Sequence, residues 1–310
     1  MVIRAIQHPS QVIELQMRKA GLFKFKAGQY LFLNCPYIAD HEWHPFTISS
    51  GTSEDFVSVH IRVVGDWTGK LQRLMNPDEA LGLVCSNLSF APDGSPIIRI
   101  DGPFGAASEE IFRLETVMLI GAGIGVTPFA SILKTIHASI EGSTDAEMAT
   151  GTDYSGEERI LHSMPVRKVY FYWIVRERNA FEWFFEILCL LEANNIHNFL
   201  EIHAYLTTVK NEAEAQRLLD ESEEFHAGER QSMMLLMSEG RDPTTGLRSG
   251  THYGRPDFED IFQTRALLHP EEDVGVFFCG PPALSKQLYQ CSRKYTKETT
   301  TRFHYHKENF

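Results

Sequence analysis

A glycine-rich turn between an apolar strand and an amphipathic helix is the feature that most constrains how this chain can fold. The apolar run TVMLI leads directly into GAGIGVTPFA, which spans residues 121–130. Apolar residues then recur at positions 129, 132, 133 and 136, the spacing of one helix face. Thr127 can cap this helix, and Pro128 suits its first position, where a missing N–H costs nothing. Strand, turn and helix in this order predict one repeat of an α/β sheet.

The turn is also a candidate anion site, because unpaired N–H groups and the helix dipole point at whatever lies before a helix N-terminus. Gly121 and Gly123 match the opening of the dinucleotide-binding fingerprint, whereas Val126 stands where that fingerprint has its third glycine. Taken alone, the turn leaves two alternatives open. It is either a phosphate-binding loop or an ordinary tight turn that binds nothing.

The next strand along the chain bears on which nucleotide would bind. An acid about 20 residues after the glycines would bind the ribose 2′-hydroxyl, and Glu141 has that spacing but lies in a polar stretch. The strand KVYFYWIV ends instead at Arg176, and a guanidinium at such an edge can pair with a 2′-phosphate. This favours NADPH over NADH, although Arg176 and the neighbouring Glu177 could also be ordinary solvated charges.

Before the glycine turn the chain has an all-β pattern. VIELQM alternates apolar and polar residues, and YLFLN, FTISS, FVSVHIRVV and PIIRI are further short apolar runs between turn residues. Short strands at this spacing predict a small antiparallel barrel. The segment DWTGKLQRLM interrupts the pattern, and Thr68 is expected to cap a short helix that runs to about Met75.

After Asp101 strands and helices alternate, which predicts a parallel sheet covered on both faces. The expected strands are TVMLI, KVYFYWIV, LEIHAYL, VGVFFC and TRFHYH, with helices at NAFEWFFEILCLLEA and PALSKQLYQCS. Two polar stretches, 137–164 and 210–241, are expected to be insertions. The predicted domains are 1–110 and 111–310.

Composition excludes several classes of protein. Most of the net charge of −12 lies in the polar stretches, and no basic face is available for nucleic acid. The five cysteines are widely spaced, which favours reduced thiols over a disulfide framework or a zinc site. The first fifteen residues are too polar for a signal peptide. The run 117–133 is shorter than the roughly 20 residues of a membrane span and is interrupted by glycines and Pro128.

Further strings, in order along the chain, carry a family resemblance. HPFT, DGPFG and CGPPAL occur as in the ferredoxin–NADP reductase superfamily. HPFTISS, HIRVVGDWT, GAGIGVTPFASILK, FYWIVRE, TGLRSGTHYGRPDF and the terminal KENF more closely resemble the dehydrogenase half of the NADPH oxidases, from about residue 12 to residue 310. The resemblance implies an antiparallel β-barrel that binds FAD, followed by an α/β domain with a five-stranded parallel sheet that binds NADPH.

The resemblance also implies the flavin contacts. In the superfamily motif Arg-x-Tyr-Ser, His44 stands here for the arginine, Phe46 for the tyrosine and Thr47 for the serine. Thr47 would then hydrogen-bond flavin N5 and Phe46 would pack near the ring. Because the arginine is replaced, Arg62 and the helix start at residues 67–68 are candidates to hold the pyrophosphate. The implied FAD-binding residues are Trp43, His44, Pro45, Phe46, Thr47, His60, Ile61, Arg62, Trp67, Thr68 and Phe310.

For NADPH, the resemblance places the pyrophosphate at the glycine turn and the 2′-phosphate at Arg176 and Arg255. The implied NADPH-binding residues are Pro103, Gly121, Gly123, Ile124, Thr127, Arg176, Arg255, Cys279, Gly280 and Pro281. Cys279 would lie beside the nicotinamide, and the terminal aromatic Phe310 would cover the flavin as a gate. The residues implied to act in catalysis are Thr47, Cys279 and Phe310.

The activity implied is hydride transfer from NADPH to FAD, followed by single-electron transfer to haems of a membrane domain and to oxygen, giving superoxide or hydrogen peroxide. We expect this chain to be the soluble part of a longer protein at the cytosolic face of a membrane. Its partners would be the transmembrane haem domain of the same protein and regulatory proteins. Two alternatives are the dehydrogenase part of a ferric reductase and a module that senses NADPH and FAD without turnover.

Overall fold

A computed structural model describes residues 1–19, 21–76, 96–150, 165–193, 199–211, 213–214 and 240–308. The chain divides into two compact units. The first unit comprises Met1–Glu109, Ile124–Thr150 and Glu308–Phe310. The second unit comprises Glu110–Gly123 and Gly151–Lys307.

The first unit contains two three-stranded antiparallel sheets with strand orders β1-β2-β5 and β4-β3-β6. Its strands are β1 (Val2–His8), β2 (Val12–Arg18), β3 (Tyr30–Asn34), β4 (His44–Thr47), β5 (Phe56–Arg62) and β6 (Arg99–Phe104). Helix α1 (Asp66–Met75) follows β5. An isolated bridge joins Ile48 to Val59 and links the two sheets.

The core of the first unit lies on one face of β2 and β5. Because successive side chains of a strand point to opposite faces, Ile13, Leu15 and Met17 share this face with Val59 and Ile61 across the ladder. All five side chains are buried. The opposite face carries polar residues and is covered in part by helix α2 (Thr127–Thr150), whose Ser131 hydroxyl donates to the Ser50 carbonyl at 2.7 Å.

The second unit is built on a six-stranded sheet of order β10-β9-β8-β7-β11-β12. The strands are β7 (Thr116–Ala122), β8 (Lys168–Val175), β9 (Leu200–Leu206), β10 (Thr251–Tyr253), β11 (Asp273–Cys279) and β12 (Arg302–Glu308). Neighbouring strands from β10 to β11 pair in parallel. Their carboxyl ends therefore meet at one edge of the sheet, which is where parallel sheets bind ligands.

In the described part of the second unit, three α-helices have defined bounds, namely α3 (Phe185–Ala193), α4 (Phe258–Leu268) and α5 (Pro282–Glu298). Helices α4 and α5 pack on one face of the sheet, where Phe262 and Leu288 join Met118, Val276 and Phe278 in a single apolar cluster. Asp257 caps α4 by accepting hydrogen bonds from two backbone N–H groups of its first turn.

The predicted fold class is confirmed, and the second sheet has one strand more than predicted. The additional strand, β10, is only three residues long and too short to show a period in the sequence. Helix α2 continues through residue 150, into the stretch expected to be an insertion, whereas residues 151–164 and most of 210–241 lie outside the described part of the chain. Within the described residues, no helix has the length and apolar character needed to cross a membrane.

Helix α1 begins two residues before the predicted cap. Its N-cap is Gly65, and Thr68 lies inside the first turn. The Thr68 hydroxyl accepts hydrogen bonds from the N–H groups of Val64 and Gly65, both at 3.1 Å. Thr68 therefore stabilises the start of the helix as its third residue, whereas the sequence predicts it as the N-cap residue.

Candidate functional site

Strand β4 carries the string HPFT and is held against β3. Thr47 lies opposite Tyr30, and Phe46 lies opposite Leu31. Because side chains alternate along a strand, His44 and Phe46 share one face of β4, and Pro45 and Thr47 share the other. The two residues expected to touch the flavin ring, Phe46 and Thr47, therefore point away from each other across the strand.

Helix α1 brings Trp67 to the face of β4 that carries His44 and Phe46. The ring centroids of His44 and Trp67 are 4.2 Å apart, and those of Phe46 and Trp67 are 6.2 Å apart with an angle of 25° between the ring planes. His44 also lies 3.3 Å from the Glu42 carboxylate. Three of the predicted FAD residues of β4 and α1 thus pack together, and we call them the aromatic group His44–Phe46–Trp67.

Two polar atoms at this site are buried without a hydrogen-bond partner among the described residues. They are the Thr47 hydroxyl oxygen and the Trp67 indole nitrogen. A buried polar group without a partner costs about 1–3 kcal/mol, so such groups call for a ligand or another explanation. Flavin and its ribityl chain carry nitrogens, carbonyls and hydroxyls that could complete both bonds, and the residues present therefore fit FAD.

The remaining predicted flavin contacts on this unit are spread more widely. Trp43, Pro45 and Arg62 are exposed. Ile61 lies in the apolar core, and the side chain of His60 is buried on the opposite face of β5, with Nδ1 2.8 Å from the Ser49 hydroxyl. The structure therefore does not bring the side chain of His60 to the aromatic group, whereas Ile61 lies in the same apolar cluster as Trp67.

The glycine turn has the predicted strand–turn–helix form. Strand β7 ends at Ala122, a single 3-10 turn covers Gly123–Val126, and α2 begins at Thr127. Gly123 has a φ of 58°, in the left-handed region that glycine adopts without strain. Its carbonyl accepts a hydrogen bond from the indole N–H of Trp173 on β8 at 3.3 Å. Trp173 therefore fixes the first half of the turn.

The string CGPP lies next to this turn, because β11 and β7 are neighbours in the sheet. Cys279 is buried and lies in register with Gly121. Gly280 has a φ of 156°, and a Cβ placed on it would lie 2.7 Å from the Cβ of Ala122. Only glycine allows the two turns to come this close. Pro281 then provides the N-cap position of α5.

Two arginines lie at the carboxyl edge of the sheet. Arg176 follows the last residue of β8, and Arg255 comes two residues after the end of β10. Both are exposed, and neither forms an ion pair with any residue that the structure describes. Guanidinium groups outside any ion pair of the described chain, at the edge where parallel sheets bind ligands, are suited to a phosphate group.

Sequence reasoning missed the residues that shape the loop before β10. The Asp242 carboxylate accepts hydrogen bonds from the N–H groups of Thr244, Thr245 and Thr251 at 2.8–2.9 Å. Arg178 holds the same loop to the end of β8, since its guanidinium donates to the carbonyls of residues 243 and 244. The string TGLRSGTHYGRP carries part of the family resemblance, but nothing in its spacing marks Asp242 as the centre of the loop.

A buried glutamate near the end of the chain was also missed. The Glu308 carboxylate accepts a hydrogen bond from the backbone N–H of Ser108, and burial raises the pKa of Glu308 above its ordinary value. Pro103 is half-buried in β6, five residues before Ser108. Phe310, the predicted gate, lies outside the described residues.

Comparisons with known proteins identify the family of the two domains. A family model described as "FAD-binding domain" matches residues 1–108, and one described as "Ferric reductase NAD binding domain" matches residues 114–293. Over its full length the chain is 52% identical to a superoxide-generating NADPH oxidase heavy chain of Dictyostelium discoideum. It is 38% identical to NADPH oxidase 1 of Rattus norvegicus, again over the full chain. The chain spans 54% and 48% of the lengths of these relatives.

Solved structures support the fold. A ferredoxin NADP+ reductase from Neisseria gonorrhoeae with bound FAD and NADP superposes with a TM-score of 0.55, covering 98% of this chain and 96% of that one at 14% identity. An FAD-binding domain followed by an NAD-binding domain defines an oxidoreductase that uses flavin and a nicotinamide nucleotide. The chain belongs to the ferric reductase NAD-binding domain family, and its similarity to NADPH oxidases over its whole length identifies it as their FAD- and NADPH-binding dehydrogenase part.

Proposed function

We propose that this chain moves reducing equivalents from NADPH to FAD by direct hydride transfer, using side chains to position the two cofactors and none as an acid or base. When bound, NADPH supplies the hydride and FAD accepts it at ring nitrogen N5. The observation that carries this proposal is the buried Thr47 hydroxyl, which has no partner among the described residues, on the strand whose opposite face carries His44 and Phe46 of the aromatic group.

The FAD site would be formed by residues of β4, β5 and α1. Thr47 would hydrogen-bond the flavin near N5, and Phe46 would pack near the ring. Exposed Arg62, together with the start of α1 at Trp67 and Thr68, would supply the positive charge and N–H groups that the pyrophosphate needs. His60 would contribute only its backbone, because its side chain is buried on the other face of β5. Ile61 would support Trp67 from the apolar cluster that both residues share.

The NADPH site would lie along the carboxyl ends of the strands of the second sheet. The glycine turn, with Gly121, Gly123, Ile124 and Thr127, would bind the pyrophosphate through N–H groups at the start of α2. Arg176 and Arg255 would hold the 2′-phosphate. The CGPP turn at residues 279–281 would lie beside the nicotinamide, where Gly280 keeps the backbone close to Ala122, and Pro103 would help to position the cofactor.

Two further parts of the proposal concern the chain ends and domains. Residues 1–110 would form the FAD domain and 111–310 the NADPH domain.

Phe310 would cover the flavin ring and would move away when the nicotinamide ring stacks there. Replacing it in a Phe310→Ala variant should speed flavin reduction by NADPH in stopped-flow measurements, and an unchanged rate would contradict the gate.

In the full-length protein, the electrons would pass one at a time to haems of a membrane domain and then to oxygen, giving superoxide or hydrogen peroxide. This part rests on the relatives, one of which is named a superoxide-generating NADPH oxidase. The chain would lie at the cytosolic face of that membrane. A ferric reductase would use the same dehydrogenase part, and comparing oxygen with chelated ferric iron as acceptors of the full-length enzyme distinguishes the two.

Nucleotide binding tests the site directly. Isothermal titration of the FAD-loaded chain should show NADP+ binding more tightly than NAD+. Losing one guanidinium–phosphate contact costs about 1.5 kcal/mol, so Arg176→Ala and Arg255→Ala should each weaken NADP+ binding about tenfold and leave NAD+ unchanged. Arg302→Ala, at an exposed position on β12, is the matched control. Equal affinities for the two nucleotides in the parent chain would contradict the proposal.

A further inference from the structure

Three side chains that could bind a metal meet on the outer face of the first sheet, away from the apolar core. Glu14 on β2 lies directly opposite His60 on β5. On the other side, Glu14 lies opposite Ile6 of β1, and His8 is two residues further along the same strand and so on the same face. The strand register therefore places His8, Glu14 and His60 in a row across three neighbouring strands. We call them the His8–Glu14–His60 cluster.

The distances within this cluster suit one small cation. Nε2 of His8 lies 3.3 Å from Oε2 of Glu14, and Nε2 of His60 lies 3.8 Å from the same oxygen. One ligand atom from each of the three residues lies within 4.8 Å of the others. A tetrahedral zinc ion with bonds of about 2.0–2.1 Å needs ligand atoms about 3.4 Å apart. Small side-chain rotations would bring the three atoms to that spacing.

Groups around the cluster hold the ligands in a metal-binding orientation. The Ser49 hydroxyl lies 2.8 Å from Nδ1 of His60, which directs Nε2 of that ring at Glu14. Gln16 donates to Oε1 of Glu14 at 3.0 Å, which leaves Oε2 facing the two imidazoles. Metal-binding histidines and carboxylates usually have such outer hydrogen bonds.

Burial and charge also favour a cation. Glu14 and His60 are buried, which places a carboxylate between two imidazole nitrogens and away from bulk water. Lys134 of α2 also faces the cluster, but its ammonium lies 3.5 Å from the Glu54 carboxylate, which offsets part of its charge. The His8 side chain is 18% exposed and provides a path from solvent.

We propose that His8, Glu14 and His60 form a binding site for one divalent transition-metal ion, with zinc as the best fit. Two imidazole nitrogens and one carboxylate oxygen form a ligand set that proteins use for zinc, with water completing the tetrahedron. The ion would tie the β1–β2 hairpin, at the edge of the sheet, to β5. The site is separate from the residues proposed for FAD and NADPH, except that the backbone of His60 is common to both.

Metal binding by the purified chain tests this proposal. Equilibrium dialysis against zinc, with metal content read by atomic emission, should give one tightly bound zinc per chain. Cobalt(II) as a probe should give the visible absorption bands of a tetrahedral site. His8→Ala and Glu14→Gln should each weaken zinc binding at least tenfold and remove the cobalt bands, while His41→Ala, at an exposed histidine outside the cluster, should bind like the parent chain.

Circular dichroism separates loss of the site from loss of the fold. Because His8 lies on an edge strand and is partly exposed, its alanine variant should keep the spectrum of the parent chain. No stoichiometric zinc in the parent chain would overturn the proposal. So would zinc binding that is equal in the parent, His8→Ala and Glu14→Gln chains, because the metal would then be bound by other histidines. Flavin absorbance is not part of this readout, so the result does not depend on the proposed hydride transfer.

Discussion

At the scale of single residues, Thr47 is distinguished by a buried hydroxyl that has no hydrogen-bond partner among the described residues. The side chain is 4% exposed, and no described residue completes its hydrogen bond. Its neighbours in the sequence point to the other face of β4, where Phe46 and His44 contact Trp67. A threonine that served packing alone could be replaced by valine with little consequence, so this substitution separates a structural role from a functional one.

We predict that Thr47→Val slows reduction of bound flavin by NADPH up to about tenfold, since a net hydrogen bond is worth about 0.5–1.5 kcal/mol. Stopped-flow absorbance under anaerobic conditions measures the rate. Thr47→Ser keeps the hydroxyl and is the matched control, which should stay near the parent rate. A Thr47→Val variant that reduces its flavin as fast as Thr47→Ser would mean that the hydroxyl has no part in the step.

At the scale of elements, the close approach of the turns after β7 and β11 depends on Gly280. A methyl group there would lie 2.7 Å from the Cβ of Ala122 and would require a φ of 156°, which side chains rarely adopt. We predict that Gly280→Ala lowers the free energy of unfolding by about 2 kcal/mol. Urea denaturation measures this, and Gly250→Ala, which would meet nothing within 4 Å, should change it little. Equal stability of the two variants would show that the turns can separate freely.

Strand β9 carries a histidine that makes stability depend on pH. Burial, followed by the nearby Arg265 and His252, lowers the pKa of His203 to about 4. Arg265 donates to Nε2 of His203 at 3.2 Å, and the His203 ring stacks on Tyr172 at 4.7 Å. The neighbouring Glu201 carboxylate acts in the opposite direction, but the net shift of the pKa is downward.

Because the folded pKa of His203 is below its unfolded value of about 6.5, the stability it provides is present above pH 6.5 and is lost as pH falls toward 4. We predict a loss of about 2 kcal/mol from this residue between pH 7 and pH 5. Urea unfolding at the two pH values should show a smaller loss in His203→Gln than in the parent chain. His41→Gln, an exposed control, should behave as the parent does, and the same pH slope in all three chains would contradict this assignment.

At the scale of the whole molecule, the spacing of hydrophobic residues predicts most helices and strands, but it does not predict which strands pair in a sheet. The alternation in VIELQM and the apolar run KVYFYWIV predict β2 and β8 because both are long and uniformly patterned. Strand β10 was not predicted, because a strand of three residues is too short to show an alternation of apolar and polar residues. Polar residues from about 137 onward predict that helix α2 ends there, yet the helix continues to Thr150, because its backbone hydrogen bonds do not depend on an apolar stripe.

The candidate site was predicted as a set of residues, and its internal contacts were not. Motifs indicated Thr47, Phe46 and Trp67, but the packing of Trp67 against both His44 and Phe46 depends on where α1 lies. Asp242 and Glu308 were missed for a similar reason. Their partners are backbone N–H groups, which no side-chain pattern in the sequence reveals. The motif assigns His60 to FAD, whereas the strand register turns its side chain toward Glu14.

A path for the hydride from NADPH to FAD, carried by this chain alone, is the central proposal. The most direct measurement is anaerobic mixing of the FAD-loaded chain with NADPH or NADH while the visible absorbance of the flavin is followed. We predict bleaching that is much faster with NADPH than with NADH, because Arg176 and Arg255 favour the 2′-phosphate. Absence of bleaching with both nucleotides, when titration shows that FAD and NADPH are bound, would contradict this function.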